Sequence, residues 1–182
     1  MRDIGTTLIS EEQIQNRLRE MGEQITTDYE GRDTILVAVL KGAFMVMADL
    51  SRYIRLPVDM DFMAVSSYGA ATKTSGVVRI IKDLDQEIAG RHVLIVEDII
   101  DSGLTLKYLL KNLAVRRPAS LEIAALLVKT GIQEVPLDVR YVGFEIPPDF
   151  VVGYGLDWVG RYRNLPYVVT MSDDDLQGSP LD

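Results

Sequence analysis

Val93-Leu94-Ile95-Val96-Glu97-Asp98-Ile99-Ile100-Asp101-Ser102-Gly103-Leu104-Thr105 runs from four consecutive apolar residues into an acidic turn and then into a helix. A short apolar run without polar alternation is how a strand buried on both faces reads. Ile35–Leu40, Leu121–Val128 and Tyr141–Ile146 read the same way, and Val58–Ser66 and Val77–Lys82 are also strand-like. Between them lie helical stretches. Ser10-Glu11-Glu12-Gln13 is a capping box, and Ile14, Leu18, Met21 and Ile25 follow at helical spacing, which predicts a helix over 11–29. Further helices are predicted over Ala43–Ile54 and 104–114. Strands alternating with helices imply an α/β domain with a mostly parallel central sheet flanked by helices. The whole chain, 1–182, reads as one domain, with 1–10 and 172–182 as frayed ends. Ligands of such sheets bind beyond the carboxyl ends of the strands, near the point where strand order reverses. The residues standing at those ends are Lys41-Gly42, Glu97-Asp98, Lys129 and the stretch after Phe144.

With 182 residues, 47% of them hydrophobic and 25% charged, the chain can bury a full core. It has no apolar run near the ~20 residues of a membrane span and no signal-peptide pattern at its start. It also has no cysteine, so disulfides and thiolate metal sites are excluded. These features predict a soluble cytoplasmic protein with no membrane partner. The net charge of −8 argues against a nucleic-acid surface. A phosphate ligand would then have to be held by backbone N–H groups, a divalent cation and a few placed side-chain cations.

The turn supplies the first two devices. Adjacent carboxylates at the end of a buried strand repel unless something positive neutralises them, so Glu97 and Asp98 suit ribose hydroxyls or Mg²⁺. Asp101-Ser102-Gly103-Leu104-Thr105 opens a helix, whose first N–H groups lack internal partners and form an anion site. Capping of the helix by Asp101 or Ser102 is the plainer alternative for either residue alone. Neither GxxxxGK[ST] nor a full GxGxxG is present.

The segment 93–105 resembles the donor-binding signature of the type I phosphoribosyltransferases, and the likeness to their hypoxanthine-guanine branch runs over roughly residues 5–170. The second stretch that carries it is Tyr141-Val142-Gly143-Phe144-Glu145-Ile146-Pro147 with Phe150-Val151-Val152-Gly153-Tyr154-Gly155-Leu156-Asp157. The resemblance implies the type I phosphoribosyltransferase fold, with a small hood over the base site. It implies that Ser102, Gly103, Leu104 and Thr105 bind the 5-phosphate of the donor, 5-phosphoribosyl 1-pyrophosphate. Glu97 and Asp98 would lie beside the ribose hydroxyls and Mg²⁺, and Asp101 would act as general base near N7 of the purine. Lys41 and Gly42 would contact pyrophosphate around a cis Leu40–Lys41 peptide. Lys129 would donate to the oxygen at C6 of a 6-oxopurine, Phe150 would stack on the ring, and the Val151 backbone would read its edge. Asp157 would hold a second Mg²⁺ and Arg163 would meet the leaving pyrophosphate. After Asp157 the family usually has a tyrosine and polar residues, whereas this chain has Trp158-Val159-Gly160. Alone, Lys41 reads as a solvated lysine, and Phe150 and Val151 as core.

The implied activity is transfer of ribose 5-phosphate to hypoxanthine or guanine in purine salvage, by a homodimer or homotetramer. The small, polar Tyr68–Gly76 connection is expected to close over the site. A non-enzymatic regulator of the same fold that binds nucleic acid, and a phosphoacceptor receiver domain, are the competing readings. The charge opposes the first; the order of the acids and the lysine opposes the second. His92, the only histidine, reads as a surface residue, and Met45 and Met47 as helix packing.

Overall fold

The computed structural model describes residues 5–68, 77–172 and 176. Its centre is a six-stranded sheet in the order β4-β3-β2-β5-β6-β7. Strands β2 (Thr34–Leu40), β3 (Asp59–Tyr68), β5 (His92–Ile100), β6 (Ser120–Lys129) and β7 (Tyr141–Ile146) are parallel, and β4 (Val77–Lys82) is antiparallel at one edge. Helix α1 (Glu11–Asp28) starts at the Ser10–Gln13 capping box, in which both reciprocal bonds form. Helix α2 (Ala43–Tyr53) crosses from β2 to β3, and α3 (Leu104–Ala114) crosses from β5 to β6.

The apolar runs are continuous because both faces of the sheet are covered. Leu36, Ala38, Leu94, Val96, Ala124 and Leu126 pack with α1 and α2. Their neighbours Ile35, Val37, Val93, Ile95, Ile123 and Ala125 pack on the other face with Leu106, Leu109 and Leu113 of α3. Met47 is buried in the first of these cores and Met45 packs against it. From β2 the chain builds outward through β3 and β4, and from β5 it builds the opposite way through β6 and β7. Strand order therefore reverses between β2 and β5, and a ligand crevice belongs at their carboxyl ends.

Several sequence expectations need correction. Glu97 and Asp98 lie within β5, not in a turn after it, because β6 runs alongside and offers partners as far as Ile100↔Val128. The N-terminal segment is not frayed from Thr6 onward. Thr6–Ile9 forms β1, which pairs antiparallel with β9 (Val168–Thr170), and β9 pairs with β8 (Val151–Val152). This second sheet, β1-β9-β8, is the hood. His92 is half-buried: its Nδ1 lies 2.8 Å from Ser120 Oγ, and its ring meets Tyr29 edge-on. Of the expected closing loop Tyr68–Gly76, residues 69–76 lie outside the described residues, as do 173–175 and 177–182 of the expected frayed C-terminus.

Candidate active site

At the end of β5 the backbone turns through Gly103, which has φ +81° and serves as the N-cap of α3. A side chain on this residue would be strained by that φ and would press on Leu137 and Val135. As N-cap, Gly103 brings no side chain to bond the first-turn N–H groups. Its neighbour Ser102 does so in part, its Oγ accepting from the Leu104 N–H at 3.4 Å. Ser102 thus takes up part of the plain capping role, and the other N–H groups of the first turn of α3, beside the cleft, have no partner within the helix.

That cleft holds about 340 Å³. Lys41 and Gly42 from the end of β2 line it, with Glu97, Asp98, Asp101, Ser102, Gly103 and Thr105 from the β5–α3 junction and Asp157 and Arg163 from the hood. Of the residues expected around the donor, only Leu104 does not line it. Its side chain points to solvent, which leaves it a backbone role at most. The Leu40–Lys41 peptide is cis. Lys41 is exposed but faces the cleft. Gly42 lies so close to Asp98 that a Cβ there would collide with the carboxylate.

A smaller pocket of about 200 Å³ adjoins the first. Lys129, Phe150, Val151 and Asp157 line it, all four of the residues expected at the base. The two spaces share Asp98, Ile99, Asp101, Asp157 and Arg163. Phe150 is 41% exposed, which a core phenylalanine would not be, whereas Val151 is buried. Ile99 and Leu156 complete the pocket. Sequence reading passed over both, since an isoleucine between acids and a leucine between glycine and aspartate carry no chemical signal of their own.

The electrostatics are unbalanced toward acid. Glu97 is 8% exposed, and burial, aided by the Asp98 charge, pushes its carboxyl well above the usual range. Burial likewise pushes Asp98 up to about 6, with the Ile99 N–H at 2.8 Å and the Arg163 charge opposing that rise. Two cations are held on acids: Lys129 Nζ is 3.7 Å from Asp101 Oδ1, and an Arg163 guanidinium nitrogen is 2.5 Å from Asp157 Oδ1. Such a site favours a ligand that brings positive charge with it.

The phosphoribosyl transferase domain model matches residues 8–158. The hypoxanthine-guanine phosphoribosyltransferase of Mycobacterium avium is 53% identical over 175 residues, 93% of this chain and 86% of its own. That of Bacillus subtilis is 51% identical over 166 residues, 91% of this chain and 92% of its own. This chain belongs to the hypoxanthine-guanine phosphoribosyltransferase family. A crystal structure of the Staphylococcus aureus hypoxanthine phosphoribosyltransferase superposes with a TM-score of 0.90 at 45% identity, covering 94% of each chain. The Trypanosoma cruzi hypoxanthine phosphoribosyltransferase, solved as a lysine-to-arginine mutant in a ternary substrates complex, also gives 0.90, at 40% identity and over 98% of this chain and 100% of its own.

The departure from this family's pattern after Asp157 forms a tight hairpin. Trp158 and Arg161 bond to each other through both backbones, at 3.2 and 3.0 Å, around Val159 and Gly160. Trp158 stacks on Tyr162 with ring planes 8° apart. The Gly160 N–H donates to Asp157 Oδ2 at 2.7 Å, so this variant turn holds the carboxylate from one side while Arg163 holds it from the other.

Proposed function

We propose that this protein is a hypoxanthine (guanine) phosphoribosyltransferase of purine salvage. It would move ribose 5-phosphate from 5-phosphoribosyl 1-pyrophosphate to a 6-oxopurine, giving IMP or GMP and pyrophosphate. The observation that carries this reading is the meeting of two pockets at Asp98, Asp101, Asp157 and Arg163, one beside the N-terminus of α3 and one beside Lys129 and Phe150. A donor phosphate in the first would accept from the N–H groups of Gly103, Leu104 and Thr105 and from the hydroxyls of Ser102 and Thr105. Glu97 and Asp98 would accept from the ribose hydroxyls. Lys41, Gly42 and Arg163 would meet the pyrophosphate.

In the second pocket Lys129 would leave Asp101 to donate to the oxygen at C6, a bond the amino group of adenine does not accept. Phe150 would stack on the ring, and the Val151 backbone would read its edge. The new bond forms between N9 and C1 of the ribose as the bond from C1 to the pyrophosphate oxygen breaks. Asp101 takes the proton released at N7. Arg163 offsets the negative charge growing on the departing group.

Glu97, Asp98 and Asp157 are the residues suited to Mg²⁺, as hard carboxylate oxygens, and burial makes the charges of Glu97 and Asp98 costly without a nearby cation. Among the described residues no three acidic, histidine or cysteine side chains converge into a closed metal cage. An ion held by these carboxylates would take its remaining ligands from water and substrate oxygens. Bound there, Mg²⁺ would neutralise pyrophosphate charge and orient the donor. We place the enzyme in the cytoplasm as a homodimer or homotetramer with no nucleic-acid partner, in keeping with a cysteine-free chain of net charge −8. Among the described residues no helix is long and apolar enough to cross a membrane.

The test is an assay of the four common purine bases with donor and Mg²⁺, beside Asp101→Ala. Hypoxanthine or guanine should give nucleotide and adenine none, and Asp101→Ala should lower kcat about 10²–10⁴-fold. No product from any 6-oxopurine overturns the reading; full activity of Asp101→Ala removes that residue's role alone.

A further inference from the structure

Tyr154 stands two residues before Leu156, which lines the base pocket, and has no part in the chemistry above, yet its placement is costly. Its φ is +48°, a left-handed value that non-glycine residues seldom adopt, and it is flanked by Gly153 and Gly155, both at φ +99°. Its side chain is buried, and its hydroxyl donates to Asp49 Oδ2 of α2 at 2.5 Å. The Gln15 side-chain amide of α1 donates to the same carboxylate oxygen at 3.0 Å, and the Tyr53 hydroxyl donates to Gln15 Oε1 at 3.0 Å. A hood residue is thereby tied to both helices on that face of the sheet.

What the tie controls lies next to it. The Tyr154 N–H donates to the Leu165 carbonyl at 2.8 Å and the Gly155 N–H to the Arg163 carbonyl at 2.9 Å. In return the Arg163 guanidinium donates to the Gly155 carbonyl at 2.7 Å. On its other side Gly155 abuts the cis-peptide loop so closely that a Cβ would collide with the Gly42 carbonyl oxygen. Helix α2, which carries Asp49, begins one residue after Gly42. The Tyr154–Asp49 bond therefore closes a ring through α2, Gly42, Gly155 and back. The ring fixes Arg163 against the Lys41–Gly42 loop.

We propose that Tyr154, through its hydroxyl bond to Asp49, is a positioning residue that sets the spacing between Arg163 and the Lys41–Gly42 loop, and so the fit of the pyrophosphate end of the donor. This builds on the proposed function in taking pyrophosphate as the group both elements meet. Arg163 also lines the base pocket, but the groups that would hold the base should feel the change far less, since Lys129 and Phe150 are placed by β6 and by the Met171 N–H bond to the Phe150 carbonyl.

The probe is pyrophosphate with Mg²⁺, titrated calorimetrically into the intact protein, alongside donor and base KM where turnover is measured. Tyr154→Phe keeps the ring and should weaken pyrophosphate and raise donor KM by about tenfold, with base KM within about twofold. Asp49→Asn keeps an acceptor and should stay within about threefold of the parent. Tyr53→Phe removes a bond from the same cluster without touching the hood and should change neither constant. Unchanged pyrophosphate affinity in Tyr154→Phe overturns the proposal. So does an equal loss for base and donor, or the same loss in Tyr53→Phe, each of which marks general loosening. Because the calorimetry needs no turnover, a parent protein inactive on every 6-oxopurine would defeat the functional reading and leave this test intact.

Discussion

The two halves of the cleft are built by opposite means. The donor half comes mainly from a contiguous segment, 97–105, at the end of a strand whose neighbours are buried on both faces, with Lys41 and Gly42 added from the end of β2. The hood half comes from Phe150–Arg163, which makes few regular strand bonds and is held by isolated bridges, positive-φ residues and side-chain bonds. A parallel sheet places its strand ends whatever the turn residues are, so the donor half inherits its rigidity from the core. The hood has only a small apolar cluster of its own, around Val152, Val169 and Met171, and depends on ties to the sheet layer. If this contrast holds, damage to the donor half should be severe and confined to the donor, and damage to the hood milder and divisible.

The most severe test is Gly103→Ala. The left-handed conformation costs an alanine about 1–2 kcal/mol, and its Cβ would press on Leu137 at 2.8 Å and Val135 at 3.1 Å. The turn must shift, and the N–H groups shift with it. Donor KM should rise about 10- to 100-fold while base KM stays within about threefold. Steady-state kinetics with each substrate varied in turn would show this. An equal rise in both would mean that the halves do not separate.

Phe150→Ala asks the same from the other side. Stacking is worth about 0.5–1.5 kcal/mol beyond area burial, so base KM should rise about 3- to 15-fold with donor KM unchanged. The ring is already 41% exposed, so the melting temperature should barely move. A large fall in melting temperature would return Phe150 to the core role that composition alone suggests.

The same contrast explains what was legible in the sequence. Strands β2, β5, β6 and β7 and all three helices announce themselves through apolar runs, a capping box and helical spacing, which are local signals. The acidic pair and the glycine turn were legible because their chemistry is contiguous. Strands β1, β8 and β9 were not read as strands, because four, two and three residues carry no period and their pairing spans the length of the chain. The apolar run before it marks Lys129 as standing at a strand end, but its role and that of Phe150 come from family likeness, as a lysine after a strand and a phenylalanine before two valines are ambiguous by themselves. The Tyr154–Asp49 tie bridges 105 residues and left no trace in either neighbourhood.

The mildest test concerns the hairpin where this chain departs from its family. Val159 has φ +50° and Gly160 φ +79°, the pair of positive values that a two-residue type I′ turn demands. Glycine suits that demand and valine does not, since a β-branched side chain is crowded in the left-handed region. Burial offers no compensation, because Val159 is 71% exposed. Asparagine tolerates the conformation without the added unfolded-state freedom of glycine. Val159→Asn should therefore stabilise the protein by about 0.5–1 kcal/mol, a rise of roughly 1–4 °C in melting temperature for a chain of this size. Both KM values should stay the same, because the Gly160 N–H that holds Asp157 keeps its place. A stabilised variant with altered donor KM would show instead that the strained valine sets the carboxylate's position, and that the hood stores strain at Val159 as well as at Tyr154.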